Sequence, residues 1–262
     1  MVTVPPRVLF MHGLEAGRGA SSRSAGDKRG YGRKAQALMD LFGEANVTTP
    51  DMAMSAFDVR AANSPARYIL AYAMLSMAVL GCCVWADLRR GVPFTTLLAL
   101  TVVCGVFLPF ARWRVKASFE ACVKVQSAAI AKFKPTVVVA SSWGGACALR
   151  CCELGHWRGP TVVIAPAVKA CGWSSLVFPS WMPALPASAA ARIVCVVGDN
   201  DKTISPSGVE RMCRTNKIAN FEVARGGDHR MNNYLLGKTK KGGKRDGGKL
   251  EELVHRALAL PG

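Results

Sequence analysis

Acidic side chains are scarce in this chain. Seventeen Asp and Glu stand against 34 Lys and Arg in 262 residues, a net charge of +17. Such a balance first suggests a nucleic-acid partner. The patterns that would carry that reading are missing: no zinc-finger spacing, no aromatic signature of an RNA-binding sheet, no recognition helix. The basic residues gather in two glycine-rich stretches, Arg18 to Lys34 and Lys238 to Lys249. No nucleic-acid partner is expected, and attraction to anionic lipid headgroups uses the same charge. Zinc-type Cys-x-x-Cys pairs are absent among the ten cysteines. Cys82, Cys83, Cys104, Cys147, Cys151, Cys152 and Cys195 lie in apolar or helical runs, where a thiol acts as a small hydrophobe. This argues against a disulfide framework and predicts a reducing compartment. The first ten residues have no apolar core of the kind a signal peptide needs.

Two stretches have no charge at all. Tyr68 to Ala86 is one and Gly91 to Ala111 is the other, joined by an expected short loop that carries Asp87, Arg89 and Arg90. At about 1.5 Å per residue each run spans roughly 30 Å, the thickness of a bilayer core. Pro93 and Pro109 fall near the run ends, and Tyr68, Trp85 and Trp113 fall near the expected interfaces. Buried lid helices of a soluble enzyme would show a polar face at helical period, and neither run does. The runs therefore predict a transmembrane hairpin over 68–111, inserted between segments 1–67 and 112–262. A hairpin returns the chain to its starting side. Arg60, Arg67, Arg112, Arg114 and Lys116 flank it there, so that side is expected to be cytoplasmic.

The remaining chain alternates strands and helices. Strands are predicted at 7–11, 46–49, 136–140, 161–166, 193–197 and 221–224, with helices at 34–42, 114–132, 143–154, 207–217 and 250–260. Residues 167–190 have no clear period and are read as a small cap. This order implies an α/β fold with a mainly parallel sheet flanked by helices and a site at the carboxyl ends of the strands.

The chemistry lies just past three of those strands. Val137-Val138-Val139-Ala140 leads into Ser141-Ser142-Trp143-Gly144-Gly145, a strand turning sharply into a helix with a serine at the corner. Bulky side chains at Ala140, Gly144 or Gly145 would clash in such a turn. Ile193 to Val197 runs into Gly198-Asp199-Asn200-Asp201, and Phe221 to Ala224 runs into Arg225-Gly226-Gly227-Asp228-His229. Serine, aspartate and histidine follow in the chain order of a nucleophile–acid–base triad. Ser141 is the alternative nucleophile, but it leaves the glycine at the wrong offset. Of the four histidines, His156 follows a helix and His255 lies in one; only His229 follows a late strand. Asp199 is close enough to replace Asp201, while Asp228 reads as a turn residue.

These motifs, with His12-Gly13-Leu14 after the first strand, resemble a short esterase-type member of the α/β-hydrolase superfamily. The resemblance covers about residues 5–60 and 112–260. It implies Ser142 as nucleophile, His229 as base and Asp201, from a Gly-x-x-Asp pattern, as orienting acid. It also implies an oxyanion hole from the backbone N–H groups of Leu14 and Trp143, with His12 bracing the turn. The first position of the elbow is Ala140 where the family pattern has glycine. The expectation is a membrane-anchored serine hydrolase acting on an ester or thioester, with no metal or organic cofactor. A non-catalytic scaffold or binding protein of the same fold is the alternative.

Overall fold

β-Branched runs build the centre of the molecule. A computed structural model describes residues 5–13, 32–53, 62–91, 93–172, 174–178, 180–236 and 248–261. Its strands are β1 (Val8–Met11), β2 (Val47–Thr48), β3 (Val137–Ser141), β4 (Thr161–Ile164), β5 (Ile193–Gly198) and β6 (Asn220–Ala224). They form one sheet in the order β2-β1-β3-β4-β5-β6, and every pair is parallel. Every residue of β1, β3, β4 and β5 is buried. Helices cover both faces of a parallel sheet, which is why these strands read as unbroken apolar runs. From β1 the chain steps outward to β2, then returns to the other side of β1 as β3. The strand order therefore reverses between β1 and β3, where open parallel sheets leave a crevice for ligands.

The helices that pack on the sheet bury one stripe each. α1 (Arg33–Phe42) buries Ala35, Ala37, Leu38, Met39 and Phe42. α4 (Trp143–Glu153) follows the serine, α7 (Pro206–Thr215) joins β5 to β6, and α9 (Gly248–Leu258) lies across β3, β4 and β5. Ser205 caps α7 by accepting the Gly208 N–H at 3.1 Å, with Pro206 at the first helical position. Short helices α5 (Ser174–Val177) and α6 (Ala187–Ala190) lie in the expected cap, and α8 (Asn232–Leu235) follows the histidine loop.

The apolar runs form α2 (Ala66–Arg90) and α3 (Phe94–Phe133), which pack on each other. Two features differ from the expectation. Asp87, Arg89 and Arg90 are not in a loop; they form the last turn of α2, which ends at Gly91 with φ 73°. The Asp87 carboxylate accepts the N–H groups of Thr95 (3.2 Å) and Thr96 (2.7 Å) and the Thr95 hydroxyl. It supplies the acceptor that the first turn of α3 needs, at the positive end of that helix. Secondly, the expected end of the hairpin at 111 falls inside a helix. The apolar run and the amphipathic segment after it are one helix of 40 residues, with Pro109 in its interior. Pro109 has no N–H to give the Gly105 carbonyl, a loss of one bond that the helix absorbs.

α3 changes character along its length. From Ala111 onward it buries Ala111, Val115, Ser118, Cys122, Val123, Gln126 and Ile130, a helical stripe against the domain. Before that point, and along α2, large apolar side chains point outward. Leu70, Met74, Leu75, Met77, Leu88, Leu97, Leu98 and Val102 are between 50% and 78% exposed. Both helices are long and apolar enough to cross a membrane, and 6% of the most apolar stretch of each is buried. Cations lie over aromatic rings at both ends of the pair. Arg114 sits 3.5 Å and Arg67 4.6 Å from the Tyr68 ring, and Arg89 lies 3.7 Å from Trp85.

Candidate active site

Ser142 sits where β3 ends and α4 begins, with φ 56° and ψ −119°. A side chain in that region costs about 1–3 kcal/mol and persists only where the surroundings impose it. Here they do. The Ser142 N–H donates to the Ile164 carbonyl (2.8 Å), and its own carbonyl accepts from Ala146 (3.1 Å) and Ala167 (3.0 Å). Close backbone approach explains the glycines. A Cβ on Gly144 would stand 2.2 Å from the Met11 carbonyl oxygen, and one on Gly145 would stand 3.0 Å from Pro166. Gly13, after β1, would bring a Cβ to 3.1 Å from that of Ser142, so the turn after the first strand lies against the serine. Ser141 is the last residue of β3, paired with Ile164 and buried.

The acid and histidine loops touch backbone to backbone. A Cβ on Gly198 would lie 2.1 Å from the Gly227 carbonyl oxygen, and the Asn200 N–H donates to that oxygen at 3.0 Å. Asp199 holds the loops together by accepting the Gly226 N–H at 2.7 Å. Asp228 accepts the Met231 N–H at 2.6 Å, a turn contact. Asp201 reaches the histidine instead, its Oδ2 accepting from His229 Nδ1 at 2.8 Å. Its Oδ1 accepts from Thr203 (2.8 Å) and Ile204 (2.9 Å), so both oxygens are satisfied. His229 Nε2 lies 2.9 Å from Ser142 Oγ.

The hydrogen bonds dictate the protons. An ionised carboxylate only accepts, so His229 donates through Nδ1 and leaves Nε2 to accept the Ser142 hydroxyl proton. The Asp201 side chain is wholly buried, while a quarter of the His229 ring is exposed. Burial alone would push the Asp201 carboxyl upward. The bonds from His229, Ile204 and Thr203 outweigh it and hold the carboxyl below its ordinary range. His12 is buried, with Nδ1 donating to the Gly13 carbonyl (2.8 Å) and Nε2 facing the Met52 N–H (3.4 Å). Burial keeps its pKa below the ordinary value, against the Gly13 hydrogen bond and the nearby Asp51 charge. The thiols near the site are inert: burial pushes Cys122 up to about 11 and Cys151 and Cys152 up to about 12. Among the described residues no three His, Cys, Asp or Glu side chains gather where they could hold a metal ion.

Of the residues singled out from sequence, Ser142, Asp201 and His229 are thus brought into one hydrogen-bonded chain. Trp143 opens α4, so its backbone N–H has no partner within that helix. Leu14 lies outside the described residues, as do Arg18 to Tyr31 and Lys238 to Gly247 of the two basic stretches. Sequence reasoning missed an aromatic cluster around Trp143. Its ring meets Phe119 of α3 at 5.3 Å and Phe178 of the cap at 5.7 Å, both edge-on, and Phe119 meets Trp181 at 5.6 Å. The segment read as a cap is tied on three sides. Arg112 of α3 donates to the Leu176 carbonyl (2.9 Å), Glu153 accepts from Ala184 (2.9 Å), and Asn216 accepts from Leu185 (2.8 Å). These partners are distant in sequence and had no local signal.

No family model matches the chain, and no curated protein does. Among solved structures it is similar to a candidate hydrolase of the alpha/beta superfamily from Xanthomonas campestris pv. campestris, at 13% identity and a TM-score of 0.44, covering 97% of this chain and 95% of that one. It is also similar to a structure from a study of the metagenome-derived lipolytic enzymes LipS and LipT, at 12% identity and a TM-score of 0.45, covering 99% and 95%. A third is esterase PE8, at 12% identity and a TM-score of 0.41, covering 97% and 92%. The chain's own architecture decides the fold. With a six-stranded parallel sheet flanked by helices, and serine, aspartate and histidine leaving β3, β5 and β6 in that order, it has the α/β-hydrolase fold.

Proposed function

We propose that the protein is a serine hydrolase that cleaves a carboxylic ester or thioester while anchored in a membrane by α2 and the first half of α3. The observation that carries the reading is the unbroken chain from Ser142 Oγ through His229 to Asp201, at 2.9 and 2.8 Å, with the serine held in a strained turn. In the reaction, Ser142 Oγ attacks the carbonyl carbon and its proton passes to His229 Nε2. Asp201 holds the ring in the required tautomer and stabilises the imidazolium. The tetrahedral oxyanion takes hydrogen bonds from the backbone N–H groups of Trp143 and Leu14. His229 then protonates the departing alcohol or thiol, leaving an acyl-serine. Water, deprotonated by the same nitrogen, releases the acid and restores Ser142.

The exposed apolar faces support the membrane half of the reading. Water-facing patches of that extent are rare on soluble monomers. From Tyr68 to Trp85 along α2 is about 26 Å, close to a bilayer core, with cation-backed aromatics at both ends. The basic flanks support a cytoplasmic position for the hydrolase domain, taken as 1–67 and 112–262 with a cap at 167–190. The test is fluorophosphonate labelling of membranes that contain the full chain. Wild-type protein is expected to label and Ser142→Ala is not. Absence of labelling in wild-type protein would favour the scaffold role.

A further inference from the structure

A cationic groove lies beside the aromatic cluster. Residues 167–171 run from the serine turn to the acid loop. The Ala167 N–H donates to the Ser142 carbonyl (3.0 Å), the Lys169 carbonyl accepts from Ser205 (3.0 Å), and the Cys171 N–H donates to Thr203 (2.9 Å). Between this segment, the cap and α7 is a small open groove lined by Val168, Lys169, Ser180, Trp181, Gly208 and Arg211. Gly208 makes room for it. A Cβ there would stand 2.9 Å from the Lys169 Cβ, so the lysine stem lies along bare helix backbone. Among the described residues neither Lys169 nor Arg211 has an acidic partner, and the neighbouring Glu210 is bridged to Arg214 at 2.8 Å. Trp181 belongs to both features. It walls the groove, and its ring meets Phe119, which meets Trp143 next to Ser142.

We propose that this groove binds a phosphate group carried by the leaving half of the substrate, so that the scissile ester or thioester joins an acyl chain to a phosphate-bearing alcohol or thiol. The inference rests on the reading of Ser142 as nucleophile. Two unpaired cations, one a guanidinium fork and one a point charge, match the double charge and several acceptor oxygens of a phosphate. Ser180 lines the same groove. A neutral alcohol would leave both charges unmatched. The acyl chain would run the other way, over Trp181 and Phe119 toward α3 and its apolar half. The phosphate takes no part in bond breaking: Oγ–C forms, C–O or C–S breaks, and the leaving atom takes its proton from His229. The groove therefore grips substrate and transition state alike, which changes KM and leaves kcat alone.

The test uses the full chain in detergent micelles and three substrates with one acyl chain: an acylglycerol 3-phosphate, an acyl-coenzyme A and a monoacylglycerol. Lys169→Met with Arg211→Met removes both charges and keeps much of the aliphatic packing. The expected result is a KM about tenfold higher or more for a phosphate-bearing substrate, kcat unchanged, and both constants unmoved for the monoacylglycerol. Lys169→Arg is expected to behave as wild type. A rise confined to the acylglycerol 3-phosphate assigns a lipid headgroup, and one confined to the thioester assigns a coenzyme-type carrier. Equal losses on all three substrates, or no change on either phosphate-bearing one, overturn the proposal. Calorimetric titration of Ser142→Ala protein with glycerol 3-phosphate separates this groove from the hydrolase reading. If no substrate is turned over by wild-type protein, yet binding is present and disappears with the two methionines, the groove survives and the hydrolase does not.

Discussion

Ser142 is held in a backbone conformation that few side chains adopt, and three glycines exist to let that happen. In the proposed reaction its chemistry depends on His229 Nε2 being free to accept, which depends on the Asp201 bond to Nδ1. Ser142→Ala or His229→Ala is expected to lower kcat by about 10³-fold or more in an esterase assay. Asp201→Asn is expected to cost on the order of 10³–10⁴-fold, because an amide can turn the ring to the wrong tautomer. Asp199→Asn is expected to spare kcat, since its carboxylate holds Gly226 and makes no bond to the imidazole. A rate loss for Asp199→Asn as large as that for Asp201→Asn would reverse the two assignments. His12 gives a pH dependence. Once unfolded it protonates near its ordinary value of about 6.5, while burial keeps the folded residue neutral to lower pH. The unfolded state therefore binds more protons below that value, so the stabilisation is complete above it and is lost as pH falls. The Tm is expected to drop as pH falls below about 6.5, and His12→Gln should flatten that slope. An unchanged slope in the variant would place the titration elsewhere.

At the scale of elements, α3 ties the most together. It pairs with α2, meets the cap through Arg112 and reaches the serine turn through Phe119. Its apolar half is nevertheless expected to be dispensable for folding, because few of its side chains are buried. Deleting residues 68–111 with a short linker should move the protein from the carbonate-washed pellet to the supernatant, still labelled by a fluorophosphonate at Ser142. Loss of labelling together with aggregation would mean that the domain needs the hairpin to fold. The strands were legible in sequence because burial on both faces leaves unbroken valines and isoleucines, and β3, β5 and β6 each run into a turn that carries a residue of the proposed triad. The continuity of α3 was not. Pro109 and the charges from Arg112 onward look like a helix end, and only the packing of Val115, Phe119 and Cys122 on the domain carries the helix through. Asp87 was hidden for a similar reason. Between apolar runs and next to two arginines it resembles a loop charge, and its capping role needs Thr95 and Thr96 brought back beside it.

On the scale of the whole molecule, α3, the segment 167–190 and the helix that follows Ser142 meet at one aromatic cluster that no local pattern announced. Phe119, Trp143, Phe178 and Trp181 come from two helices and a cap without periodicity, so their meeting is a property of the fold alone. The proposed sidedness rests on the basic residues that flank the apolar helices. With the basic flanks on the domain side, protease added to sealed vesicles of cytoplasmic-side-out orientation should digest the domain and leave the hairpin. A domain protected in such vesicles would invert the topology. The unbroken α3 also has a rotational consequence. A helix advances about 100° per residue, so the exposed apolar stripe and the domain-facing stripe of α3 keep a fixed phase. One alanine inserted between Ala111 and Arg112 would turn one half against the other by about that angle, and four would nearly restore it. Activity on membrane-embedded substrate should therefore oscillate with the number of alanines inserted there, while that on a short water-soluble ester should not.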